Sequence, residues 1–155
     1  MTDTSTQHTI VVGIDGSAAS KAALAWAVDE ARRRSASVTA VHAWQFPAIG
    51  FAGYGGTMVP LVTMEDIEKL AHDSARDTIA EVVGTDVSVP VLTSILHGHP
   101  ATVLVEAAKD ADLLVVGSEG HGAFAGMLLG SVSTHVVHHA PCPVVVVRPD
   151  WKRDS

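Results

Sequence analysis

Short, wholly apolar runs alternate along this chain with stretches of helical period, and no other feature restricts its possible folds as much. Residues 9–15 (TIVVGID), 112–116 (DLLVV) and 143–147 (PVVVV) place apolar side chains at successive positions. A strand buried on both faces reads this way, because neither face can be given to water. Residues 37–44 (SVTAVHAW) and 87–96 read as two further strands. Between the strands the period changes to about 3.6 residues. Ser17 or Ser20 can cap a helix in which Leu24, Ala27, Val28 and Ala31 share a face and Glu30 and Arg34 form an i,i+4 pair. Thr63 and Asp66 make a capping box, and Ile67, Leu70, Ala71, Ser74, Ala75, Thr78, Ile79 and Val82 are expected to form the buried stripe of the helix it opens. Pro100 suits the first turn of a short helix with Val103, Leu104, Ala107 and Ala108 inward, and Ser131 opens another over 131–139. Such alternation demands a parallel sheet with helices on both faces, a three-layer α/β/α domain with a five-stranded parallel sheet. No linker divides it: residues 1–155 form one domain with a core over 8–148, and 1–7 and 149–155 are expected to be flexible tails.

Composition narrows the functions. Hydrophobic residues make up 47% of the chain and charged residues 17%, enough to bury a core and too little charge for a disordered chain. The formal net charge is -7, and the basic runs are Arg32-Arg33-Arg34, read as a helix-end cluster, and Lys152-Arg153. Nucleic-acid binding rests on clustered Lys and Arg, so no such partner is expected. No apolar run approaches the roughly 20 residues that span a bilayer. The opening MTDTSTQH carries no Lys or Arg, unlike a signal peptide. The single cysteine, Cys142, cannot close an internal disulfide and is read as an inert packing residue. A cytoplasmic protein without a membrane partner is the expectation.

In open parallel sheets ligands bind beyond the carboxyl ends of the strands, where strand order reverses. Two strand ends here carry glycines: Gly13-Ile14-Asp15-Gly16-Ser17 and Gly117-Ser118-Glu119-Gly120. If those strands are neighbours, both turns face one crevice. Gly117 and Gly120 let backbone approach a ligand closely. Gly130 and Ser131 stand at a helix start, where free N–H groups and the helix dipole favour a phosphate, and Ser131 and Ser133 are read as additional hydroxyl donors. No Lys or Arg lies between Ala111 and Val147, so a phosphate would rest on neutral donors, which implies modest affinity or help from a divalent cation.

The spacing Gly117-x2-Gly120-x9-Gly130-Ser131, with VVGIDGS, LLVVGS, LLGSVS and HAPCPVVVVR, resembles the ATP-binding type of the universal stress protein family over nearly the whole chain. The resemblance implies strand order 3-2-1-4-5, an adenine nucleotide alpha hydrolase-like fold, ATP as ligand, and a homodimer paired through the last strand; Mg²⁺ is the divalent cation that could accompany the ATP. It carries ligand contacts onto Gly13, Ile14 and Asp15, onto Ala43 beside the adenine edge, onto Val116, Gly117, Glu119 and Gly120, and onto Gly130, Ser131, Val132 and Ser133 at the phosphates. Asp15 would also meet the metal of a Mg-nucleotide. Two residues depart from the pattern. Glu119 stands where members often carry histidine or arginine, and Gly13 replaces a proline found in some, a change expected only to loosen the turn.

Other residues have plainer readings. His121 is a candidate phosphate contact, whereas His97 and His99 lack a third metal ligand and read as loop histidines. His135, His138 and His139 sit near a helix C-terminus, which favours imidazolium. Trp44 is expected to pack, and the uncharged stretch 45–62 to form a lid over the nucleotide. Val144, Val145, Val146 and Val147 would leave an apolar edge that a second copy could cover. The chain lacks the phosphate loop G-x-x-x-x-G-K and assigns no catalytic residue, so a regulatory ATP-binding module for a stress response is expected, with unknown protein partners. Its rivals are a slow ATPase using Asp15, Glu119 or His121, a nucleotide-free dimeric adaptor, and a binder of AMP or a cyclic nucleotide.

Overall fold

Side chains of the central strands leave alternately to two hydrophobic layers, and this period of two builds the domain. In the computed structural model, which describes residues 7–46, 62–121 and 127–153, strands and helices alternate: β1 Thr9–Gly13, α1 Ala18–Arg34, β2 Ser37–Trp44, α2 Met64–Val83, β3 Val91–His97, α3 Pro100–Ala107, β4 Leu113–Gly117, α4 Ser131–His139 and β5 Val144–Val147. All pairings are parallel and the order is β3-β2-β1-β4-β5. Ile10, Val12, Leu113 and Val115 point into a layer with Leu24, Ala27, Val28 and Ala31 of α1 and Ala75 of α2. Val11, Leu114 and Val116 point the other way, against Leu104 of α3, Ala108 at its C-cap and Val136 of α4. The apolar runs are thus uniform because β1 and β4 are covered on both faces.

Helix ends follow local chemistry. Ser17 caps α1, its hydroxyl accepting from Ser20 N at 3.3 Å, and Ser35 ends it in the left-handed region at φ 53°. Glu30 takes Arg34 at 2.6 Å, and these guanidinium neighbours hold its carboxyl below the usual glutamate range. The buried face of α1 is rich in alanine, which lets the helix lie close to the sheet. Thr63 and Asp66 form the expected reciprocal box at α2. The backbone N–H of Thr63 donates to Asp66 and lowers its pKa, so the charged form supports the helix. A depressed folded pKa contributes stability above the unfolded carboxylate range and loses it as pH falls through the folded value. The melting-temperature gap between wild type and Asp66→Ala should therefore be widest near neutral pH and narrow in acid; a gap independent of pH would refute the charged cap.

Three expectations need correction. Leu70 does not join the α2 stripe: it is 65% exposed, and Ala71, Ala75 and Thr78 make the buried contacts. The third strand begins at Val91 rather than 87, because Asp86 accepts from Ser88 N to close a turn and Pro90 has no N–H for the ladder. Residues 149–153, read from sequence as part of a tail, return to the core: Trp151 packs against the α1 layer and Arg153 donates to the buried Asp29 at 2.6 Å. Residues 1–6 and 154–155 lie outside the described residues, as does nearly all of the expected lid.

Candidate functional site

Strand order reverses between β1 and β4: the chain steps outward from β1 to β2 and β3, then returns to the other side of β1. The loops leaving β1 and β4 therefore diverge and open a crevice at the carboxyl edge. A cavity of about 480 Å³ lies there. Gly13, Ile14 and Asp15 line it from the end of β1, and Ala43 from β2. Val116, Gly117, Glu119 and Gly120 line it from the end of β4, and Gly130, Ser131, Val132 and Ser133 from the start of α4. Every residue assigned to the site from sequence thus borders one space. Ser20, Val41, Pro100, Leu104 and Met127 border it too and were not anticipated. Pro100 and Leu104 come from α3, whose rotation against the sheet has no local sequence signal.

Packing explains the glycines in different ways. A Cβ on Gly117 would stand 2.7 Å from the Ala19 carbonyl carbon and 2.9 Å from Ser20 N, so Gly117 lets α1 touch the sheet. At Gly13 a Cβ would lie 2.8 Å from Leu104 Cδ1, so glycine there also leaves room for the leucine that walls the cavity. At Gly120 a Cβ would lie 2.7 Å from Asp15 Oδ2, which brings the two strand ends together. Gly16 has φ +81°, the conformation that turns the chain from β1 into α1.

Gly130 is unlike these. It caps α4 in extended conformation, φ -76° and ψ 175°, without any side-chain cap. Its own N–H donates to Ser118 O at 2.7 Å and its carbonyl accepts from Thr134 N. The first turn of α4 consequently opens onto the cavity with N–H groups that have no partner among the described residues and with the positive end of the helix dipole. The Ser133 hydroxyl does not add to them. It is buried and donates to Ser118 O at 2.9 Å and Gly130 O at 3.0 Å, so only its backbone N–H remains for a ligand. Ser131 is exposed.

The polar groups on the β1 side are tied to one another. Asp15 Oδ1 accepts from the N–H and hydroxyl of Ser17, and Asp15 N donates to Ser20 Oγ at 3.2 Å. His121 Nε2 lies 2.6 Å from Asp15 O and serves as its donor, which links the glycine segment to the β1 turn. His42 Nδ1 meets Ile14 O at 2.9 Å in the same way. Glu119 is half-buried and has no hydrogen-bond or ion-pair partner among the described residues. Trp44 packs edge-on against His97, ring centroids 4.7 Å apart, at the carboxyl ends of β2 and β3. No group of three or more possible metal ligands occurs among the described residues. Burial pushes the Cys142 thiol above its ordinary pKa, which suits a packing role.

The family model for the universal stress protein family matches residues 7–148, and the chain belongs to that family. A universal stress protein of Mycobacterium tuberculosis is 39% identical over 143 residues, 92% of this chain and 46% of that protein. The chain spans about half the length of the curated relatives it matches. Among solved structures, the universal stress protein UspA from Lactobacillus plantarum matches with TM-score 0.69 and 28% identity, covering 91% of this chain and 97% of that one. A universal stress protein solved in complex with cAMP matches with TM-score 0.57 and 29% identity, covering 93% and 98%. The five-stranded order 3-2-1-4-5 is the expected fold. Among the described residues no helix is long and apolar enough to cross a membrane.

Proposed function

We propose that this domain is a regulatory module that binds an adenine nucleotide, ATP with Mg²⁺ in the first place, between the ends of β1 and β4. The uncapped start of α4 carries the reading: its N–H groups, without a partner among the described residues, border the same cavity as both glycine turns, in the arrangement that receives a phosphate. Asp15 stands where it would meet a nucleotide-bound cation, and Val41, Ala43 and Leu104 offer an apolar wall to a base. The complex of a 29%-identical relative with cAMP supports a nucleotide as the ligand class. Rapid phosphoryl transfer is not part of the reading, because among the described residues no Lys or Arg lines the cavity to offset charge developing on a transferred phosphate. Among the described residues β5 pairs only with β4, and its half-buried Val144, Val145 and Val146, with the buried Val147, support a homodimer through that edge; a cytoplasmic location is part of the same reading.

Equilibrium dialysis with labelled ATP, with and without Mg²⁺, tests the proposal. Retention of about one nucleotide per domain in Mg²⁺ is expected. Retention no greater than that of an unrelated protein would favour the adaptor reading, in which the domain acts only through protein contacts. Phosphate release above the uncatalysed level would favour a slow ATPase.

A further inference from the structure

The cavity holds an imbalance of charge that bears on which nucleotide it would take. Asp15 and Glu119 line it, and neither Lys nor Arg does. Residues 47–61 and 122–126 contain no Lys or Arg in their sequence. Lys21, next to the lining residue Ser20, is engaged by Glu81 at 2.8 Å. Arg148, which reaches the glycine segment, donates to Leu128 O at 3.5 Å. The two carboxylates also differ. Asp15 is held by the donors of Ser17, whereas Glu119 has no partner among the described residues. Glu119 adjoins the phosphate cradle: its Cα lies 3.4 Å from where a Cβ on Gly130 would stand.

We propose that this cavity sorts nucleotides by the charge of their phosphate group, with Glu119 as the specificity-determining residue, favouring a cyclic or single phosphate over a free triphosphate and admitting the triphosphate only as its divalent-cation complex. The proposal rests on the nucleotide reading above. Its physical basis is that neutral N–H donors saturate while repulsion does not. The first turn of α4 has few free N–H groups, and one phosphate oxygen pair can satisfy them. A phosphodiester carries one negative charge, a terminal monoester nearly two, and each further phosphate adds more repulsion from Glu119. Partial enclosure strengthens that repulsion, and a bound cation cancels it.

Titration calorimetry with cyclic AMP, AMP and ATP, in EDTA and in Mg²⁺, tests the proposal on the wild-type chain and on Glu119→Gln, with circular dichroism to check folding. In EDTA the wild type should bind cyclic AMP or AMP about tenfold or more tightly than ATP, and Mg²⁺ should narrow the gap. Glu119→Gln should raise ATP affinity in EDTA by about tenfold and that of cyclic AMP about twofold at most. If ATP binds in EDTA as tightly as cyclic AMP, or if the substitution shifts all three ligands equally, the filter is overturned while the nucleotide site stands. If neither protein binds any of the three in either buffer, the filter falls together with the reading beneath it. Should Glu119→Gln fold poorly, Glu119→Ala under the same comparison decides the matter.

Discussion

Replacing Gly130 with aspartate should abolish nucleotide binding and leave the domain as stable as before. The backbone at this position already has the extended dihedrals of a helix N-cap, φ -76° and ψ 175°, where aspartate is among the best residues and gains a few tenths of a kcal/mol over glycine. There is room for it: a Cβ would meet Glu119 Cα at 3.4 Å, Ser118 O at 3.6 Å and Gly120 N at 3.7 Å. Its carboxylate would accept from the first-turn N–H groups that the proposal assigns to a phosphate, and would add a negative charge beside Glu119. Affinity should fall at least about 100-fold, or nearly 3 kcal/mol, while the melting temperature stays level or rises slightly. Dialysis paired with a thermal melt reads both quantities. A folded Gly130→Asp protein that binds like wild type would remove the start of α4 from the site.

Gly117→Ala should fail in the opposite manner, losing stability first. Its Cβ would press on backbone, 2.7 Å from Ala19 C and 2.9 Å from Ser20 N, as well as on Ala19 Cβ at 2.8 Å. Backbone cannot swing aside, so α1 must lift from the sheet it seals. Overpacking of this kind costs about 2–3 kcal/mol, a fall of about 5–10 °C in melting temperature for a domain of this size. Gly13→Ala makes a useful contrast. It meets the Leu104 side chain, which can change rotamer, so the loss should be about half as large and felt mainly as altered cavity shape. Equal melting temperatures for Gly117→Ala and wild type would show that the contact relaxes freely.

The contrast between Gly117 and Gly130 shows how the site was readable and how it was not. Both belong to one spacing pattern, and both border the cavity. From sequence they look like two instances of close backbone approach to a ligand. In the fold Gly117 is glycine because a helix lies on it, and Gly130 because its helix is left uncapped. Ser133 makes the same point: its hydroxyl looks like a phosphate donor until Ser118 O and Gly130 O take its proton. Leu70 reads as a core residue by period, yet alanines at 71 and 75 bring α2 near enough to its neighbours that the leucine stays outside.

The sequence by itself determined the order and type of the elements, the capping box at Thr63, a serine cap at Ser17 or Ser20 that the structure resolved to Ser17, and the two glycine-bearing strand ends. These depend on neighbours within about a helical turn, and on strands apolar enough to demand cover on both faces. Tertiary structure alone decided that Pro100 and Leu104 of α3 wall the cavity and that Glu119 stands there without a partner among the described residues, while the placing of β1 beside β4 was expected only through the family resemblance. Asp15 and Glu119 are more than a hundred residues apart along the chain and meet across one crevice. No local propensity records such a meeting. It arises because a parallel sheet reverses its winding at β1 and sets two distant loops at the same edge.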